Sequence, residues 1–211
     1  AYQLSKSTSA AGAVNGVAFT TQPVITIQDQ DGNPVTTGVQ STQNVTISSS
    51  GAVLGGTKIV AGAAGTGVAT YSGLSLTGTA ATYTLTYTIT NPSTITTTQT
   101  IVLTPGVATK LYVSTGAAYC PSRQACQTQP VVLIRDASDN QVTTSGTTVT
   151  ASITNGTGTI TAGSTATSSS GQATFSGLTI QGTAANNFTF TYTITSPSTI
   201  SVDQTNIQVV A

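Results

Sequence analysis

Residues 82–90 read TYTLTYTIT, and this stretch decides the fold. Apolar side chains occupy every second position (Tyr83, Leu85, Tyr87 and Ile89), and Thr fills the positions between them. Alternation with a period of two is typical of a β-strand with one buried face and does not fit the period of a helix. The sequence therefore predicts a strand whose apolar face lies in a core and whose row of Thr side chains faces solvent.

The same pattern returns further along the chain as part of a tandem repeat. Three blocks recur in one order: TQPV at 21–24 and 128–131, ATYSGL at 69–74 with ATFSGL at 173–178, and TYTIT at 86–90 and 191–195. Their offsets are 107, 104 and 105 residues, so one structural unit is present twice. We expect two domains, residues 1–105 and 106–211, that meet near Pro105 and Gly106.

Composition narrows the class of function. Five basic and five acidic residues are scattered along the chain, so no basic patch for nucleic acid is expected. His is absent and every acidic residue is Asp, which leaves no recognisable acid, base or activated nucleophile. We therefore expect no enzymatic activity and no cofactor. No apolar run reaches the roughly 18 residues that a membrane-spanning helix needs, so no membrane span is expected.

Turn sequences separate the predicted strands. Residues 31–34 read DGNP, and Asn91-Pro92 and Ser196-Pro197 match each other before the last strand of each half. About seven short strands per half, rich in β-branched residues and divided by such turns, are typical of an immunoglobulin-type sandwich. The predicted fold is all-β, with two tandem immunoglobulin-like sandwiches.

The chain also resembles a known family. The series TQPV, Asp29-x-x-Gly32-Asn33-x-Val35-Thr36, GVATYSGL at 67–74 and YTLT at 83–86 resembles bacterial immunoglobulin-like repeats of surface proteins, such as invasin and intimin. The likeness covers nearly all of both halves, although SDNQ at 138–141 replaces the Gly-Asn-Pro turn of the first half. It implies an extracellular or cell-surface setting and a role in a stalk, an adhesin arm, a filament or a surface layer.

Cys120 and Cys126 are the only cysteines, and Ala13 and Phe19 stand at the matching positions of the first half. Two thiols without His give only half of a zinc site, so the alternatives are a redox pair and a local disulfide. In an extracellular protein we expect the disulfide. Closing so short a loop contributes about 2.4 kcal/mol in the chain-entropy treatment.

Asp29, Asp31 and Asn33 alternate like the oxygen ligands of a calcium loop. No Glu follows them, and strands rather than helices are predicted on both sides. Asp and Asn also bond to their own backbone in turns, which is the interpretation we favour. We therefore expect no metal site here.

Three Asn residues lie in glycosylation sequons: Asn44, Asn155 and Asn187. Such sequons arise easily by chance in a chain this rich in Thr. Asn44 and Asn187 precede strand residues and are expected to point outward, where a glycosylating host would modify them.

The first predicted strand is a candidate assembly strand. It comprises Ala1, Tyr2, Gln3, Leu4, Ser5, Lys6 and Ser7. Lys6 stands where the second half has Val113, so this strand is less apolar than its copy. We predict that it can pair with the open sheet edge of a neighbouring subunit, which makes self-association or contact with neighbouring repeat domains the expected partnership.

A ligand-binding module is the alternative function. Such a module would bind glycans of a host or cell surface through its end loops and exposed Tyr side chains, for which Tyr112 and Tyr119 are candidates. Most other aromatic residues fall at inward positions of predicted strands, so the sequence offers no aromatic cluster in a loop.

Overall fold

The computed structural model describes residues 1–211, except for the side chain of Asn186. The chain forms two compact units, Ala1–Gly106 (unit 1) and Val107–Ala211 (unit 2). The described residues form strands and turns, with no helix. Accordingly, the part of the chain described here contains no helix able to cross a membrane.

Unit 1 contains ten strands. They are β1 (Gln3–Thr8), β2 (Ala13–Val14), β3 (Val24–Gln28), β4 (Asn44–Ser49), β5 (Val53–Gly55), β6 (Ile59–Ala61), β7 (Val68–Thr70), β8 (Ser75–Thr77), β9 (Thr82–Ile89) and β10 (Ile95–Thr104). A three-stranded sheet has the order β1-β3-β7, and a five-stranded sheet has the order β2-β10-β9-β4-β6. The short strands β5 and β8 form a separate antiparallel pair.

Unit 2 repeats this arrangement strand for strand. Its strands are β11 (Lys110–Thr115), β12 (Cys120–Pro121), β13 (Val131–Arg135), β14 (Thr148–Asn155), β15 (Gly158–Ala162), β16 (Thr165–Thr167), β17 (Gln172–Thr174), β18 (Thr179–Gly182), β19 (Ala185–Ile194) and β20 (Ile200–Val210). The sheets are β11-β13-β17 and β12-β20-β19-β14-β16, beside the pair β15-β18. In both units the second strand runs parallel to the last one. The predicted all-β, immunoglobulin-like sandwich is confirmed.

The core lies between the two sheets of each unit, where the alternating strands place their apolar side chains. Leu85, Tyr87 and Ile89 are fully buried, and Tyr83 near the end of β9 is half-buried. Burying a large apolar side chain contributes roughly 1.5–3 kcal/mol, so each of these three buried residues contributes to the stability of its unit. The Thr side chains between them lie on the outer face, flanked by β4 and β10.

The structure has more strands than the sequence predicts. The additional strands are short, two to five residues each: β2, β5, β6, β12, β15 and β16. A strand this short shows too few alternations for its period to be recognised. Gly73 lies between β7 and β8, and its φ of +67° suits glycine.

Candidate assembly surfaces

Two ends can be defined for each unit. The N-terminal pole is the end where the first strand begins and where the turn after the third strand lies, at residues 29–34 in unit 1 and 136–141 in unit 2. The C-terminal pole is the end where the last strand finishes beside the loop that follows the second strand. The predicted site residues fall on these poles, on the first strand and in the core.

The predicted assembly strand lies at an edge of its own unit. β1 pairs only with β3, with Leu4 opposite Ile27. Leu4 is buried, and the ammonium group of the half-buried Lys6 donates a hydrogen bond to the carbonyl of Thr98. In unit 2, β11 instead places two apolar side chains, Leu111 and Val113, against the core. The first strand of unit 1 is therefore held by less apolar contact than its copy.

The turn at the N-terminal pole of unit 1 is organised by one carboxylate. Asp29 Oδ1 accepts hydrogen bonds from the backbone N–H groups of Asp31 (3.0 Å) and Asn33 (2.9 Å), and Oδ2 accepts one from Asn33 Nδ2 (3.3 Å). These bonds favour the ionised form, and the Asn33 backbone bond is the main cause of the lowered pKa of Asp29. The carboxylate oxygens are thus occupied by the turn itself.

Unit 2 builds the same turn from a different sequence. Asp136 Oδ1 accepts from the backbone N–H groups of Ser138 (2.9 Å) and Asn140 (3.0 Å), and Oδ2 accepts from Asn140 Nδ2 (2.9 Å). Asp139, with φ of +64°, occupies the left-handed position that Gly32 fills in unit 1. Asp139 also forms an ion pair with Lys110 at 3.0 Å. The departure at residues 138–141 therefore preserves the turn and adds an ion pair.

Cys120 and Cys126 are bonded to each other, and both lie in the core of unit 2. Their counterparts Ala13 and Phe19 are buried in the core of unit 1. Cys126 N–H donates to the Leu178 carbonyl as Phe19 N–H donates to that of Leu74. The cysteine pair thus takes the place of an aromatic side chain in the core.

A groove of about 640 Å³ opens at the C-terminal pole of unit 2. Its lining includes Ser122, Arg123, Thr157, Gly158, Gln181 and Thr183. Arg123 is exposed, and among the residues described no carboxylate forms an ion pair with it. Its φ of +66° places it in the left-handed region, where unit 1 has Gly16. The groove therefore combines one unpaired cation with hydroxyl, amide and backbone groups.

The three sequons lie at the surface. Asn44 is exposed at the start of β4. Asn155 and Asn187 are both exposed and lie together, because the Asn155 side-chain amide donates to the Asn187 carbonyl at 2.9 Å. These two residues line a second groove of about 470 Å³ at the same pole of unit 2. Their modification stays a prediction.

The two candidate glycan-contacting tyrosines have different surroundings. Tyr112 is half exposed, and the guanidinium carbon of Arg135 lies 4.3 Å from the centre of its ring. Tyr119 is exposed to a similar degree in the loop before β12. Arg135 thus covers one face of the Tyr112 ring, and the two tyrosines are accessible to solvent to a similar degree.

Each unit contains two glutamines whose side chains form hydrogen bonds between segments far apart in sequence, and the sequence pattern did not predict this role. The side-chain amide of Gln99 accepts a hydrogen bond from the Ala10 N–H and donates one to the Ala10 carbonyl. It also accepts a hydrogen bond from the buried hydroxyl of Tyr87. Gln204 makes the same three bonds with Ala117 and Tyr192. Gln22 and Gln129 likewise bridge the backbones of Leu74 and Leu178. Their repetition at the spacing of the duplication was the available signal.

Burial keeps three tyrosines of the two cores in their neutral form. Desolvation raises the pKa of Tyr71, Tyr87 and Tyr192 well above the ordinary value of 10.0. They stay neutral hydrogen-bond donors, as the bond from the Tyr71 hydroxyl to the Val45 carbonyl (2.7 Å) shows.

Within the described part of the chain, no group of three or more His, Cys, Asp or Glu side chains could hold a metal ion.

Solved structures similar to this chain come from proteins of different kinds. The D0–D1 domains of intimin align over 100% of this chain and 98% of their own, at 15% identity and a TM-score of 0.34. Domains 4 and 5 of the S-layer protein SbsC align over 99% of each chain, at 15% identity and a TM-score of 0.38. A β-glucuronidase of Parabacteroides merdae aligns over 96% of this chain and 24% of its own, at 10% identity and a TM-score of 0.34.

The sequence matches no protein-family model and no curated protein. The similar structures include two surface proteins and an enzyme, so likeness at this level assigns no function.

Proposed function

We propose that the chain is a non-enzymatic structural module of an extracellular or cell-surface assembly, such as a filament, an adhesin stalk or a surface layer. The observation that carries this proposal is the repetition of internal supports. Both units use the same sheet order, the same carboxylate-centred turn and the same Tyr–Gln contact with the loop after the first strand. A chain that repeats its supports in this way is typical of proteins built for span or assembly.

Protease treatment of intact source cells tests the location. We expect the protease to remove the chain from intact cells, while a cytoplasmic marker protein stays whole. Equal protection of the chain and the marker would contradict the proposal. Electron microscopy of the native material then separates a filament from a lattice or a single stalk.

Exchange of β1 between copies is the more specific part of this proposal. It is supported by the edge position of β1 and by the weak apolar contact described above. In the self-paired form Gln3 lies opposite Gln28 across the β1–β3 ladder. In an exchanged form, Gln3 of one copy would lie opposite Gln28 of the next.

Cysteine trapping distinguishes these two forms. In the variant Gln3→Cys/Gln28→Cys, exchange is expected to give covalent oligomers on a non-reducing gel, which disappear on reduction. The matched control is Lys110→Cys/Arg135→Cys, at the equivalent partners of the β11–β13 ladder, which should give monomers only. Monomers alone in both variants would show that β1 remains in its own unit.

A further inference from the structure

The four poles of the chain differ in their charge. The Pro105–Gly106 segment connects the C-terminal pole of unit 1 to the N-terminal pole of unit 2. The other two poles, the N-terminal pole of unit 1 and the C-terminal pole of unit 2, are not connected to each other by the chain. Because the units are copies, a difference between equivalent poles indicates what each pole is required to do.

The N-terminal poles differ in whether their acidic groups are neutralised. In unit 2, Asp139 is paired with Lys110, and Asp136 is buried against Asn140. In unit 1, Gln3 stands in the place of Lys110. No cation pairs with Asp29 or Asp31 among the described residues, and Asp31 is exposed. The N-terminal pole of unit 1 therefore carries two unneutralised carboxylates.

At the C-terminal poles, unit 2 carries a positive charge at a position where unit 1 has no side chain. The left-handed position after the second strand holds Gly16 in unit 1 and Arg123 in unit 2. This conformation is sterically strained for a residue with a side chain and is not strained for glycine, so Arg123 is present in spite of a local penalty. The strand before the groove is also longer, since β14 has eight residues and β4 has six. At this pole unit 2 therefore has a cation beside its groove, at the position where unit 1 has a glycine.

We propose that the C-terminal pole of unit 2 binds the N-terminal pole of unit 1 in a second copy of this chain. The turn at residues 29–34 lies in the groove beside β12, with Asp31 next to Arg123. The two surfaces carry opposite charges that form no ion pair within the described residues. Complementary charges give register and specificity to an interface. The poles that the chain connects lack this complementarity.

This contact is heterologous, so copies add head to tail, in a ring or in an open filament. The inference rests on the proposed function, because it supplies the contact by which such modules would assemble.

A charge exchange tests the contact in the full chain. Association is measured by analytical ultracentrifugation at low salt across a range of protein concentrations. Arg123→Glu and Asp31→Lys should each lower the association constant by about fivefold or more, and the double variant should recover most of that loss. Rising ionic strength should weaken the wild type, because both groups are exposed.

Two further variants control for folding and for charge alone. Arg123→Gly restores the residue type of unit 1 at the left-handed position; it should weaken association while leaving the thermal midpoint unchanged or higher. Lys58→Glu changes an exposed cation of unit 1 and should leave association unchanged.

Several results would overturn the inference. They are a wild type that stays monomeric, a double variant no better than the single ones, or a Lys58→Glu effect equal to that of Arg123→Glu. Binding of an acidic polysaccharide such as alginate that depends on Arg123, without self-association, would assign the groove to a glycan instead. The protease test on cells is independent of all of these, so surface location can hold when this contact fails.

Discussion

The cores of the two units are filled differently at one equivalent place. Unit 1 buries Ala13 and Phe19 there, and unit 2 buries Cys120 and Cys126 as a disulfide. The backbone hydrogen bonds around both pairs are the same, from residue 19 to Leu74 and from residue 126 to Leu178. The comparison shows that one backbone frame accepts either an aromatic side chain, stabilised by burial, or a covalent link that restricts the unfolded chain.

Phe19→Ala should have the largest effect on this comparison. Removing a buried ring leaves a cavity, and the cost is about 3–5 kcal/mol. We expect hydrogen exchange followed by mass spectrometry to show unit 1 destabilised and unit 2 unchanged. The control is Val17→Ala in the same loop, where the side chain is half exposed, so little should change. Equal effects of the two variants would mean that Phe19 is not a core support.

Removing the disulfide should have the next largest effect, confined to unit 2. Cys120→Ala/Cys126→Ala is expected to lower the free energy of unfolding by about 2–4 kcal/mol. Cys120→Ala/Cys126→Phe copies the residues of unit 1 and should recover part of this loss by burying a ring. If the Phe variant is less stable than the Ala variant, the two cores are not interchangeable.

The Tyr–Gln contacts should instead show that the units are equivalent. The hydroxyls of Tyr87 and Tyr192 donate to Gln99 (3.1 Å) and Gln204 (2.9 Å) from buried positions. Tyr87→Phe and Tyr192→Phe should each cost about 1 kcal/mol, the net value of such a bond. The control Tyr2→Phe removes the hydroxyl of a largely exposed ring and should cost nothing measurable. A cost in only one unit would show that the contact is not a shared support.

The sequence predicted those parts of the molecule that depend on local pattern. Strict alternation placed β9 and its buried face, because a half-buried strand repeats every two residues. The turn around Asp29 was also predictable, since Asp and Asn bond to nearby backbone groups. The core position of Cys126 and the groove beside Arg123 depend on segments far apart in sequence, which local pattern does not report. Only comparison of the repeats could have pointed to them, by the alignment of Cys126 with Phe19 and of Arg123 with Gly16.

The smallest expected effect concerns acid, and it acts on the turn around Asp29. The pKa of Asp29 is below its ordinary value of 3.8, so its ionised form stabilises the folded turn above that pH. That contribution is lost as the pH falls through the lowered pKa. Carbon NMR of the Asp29 carboxyl should therefore show titration below 3.8, and Asn33→Ala should move the pKa back toward it. An unmoved pKa in Asn33→Ala would assign the shift to the backbone bonds alone, which Asn33→Ala leaves in place.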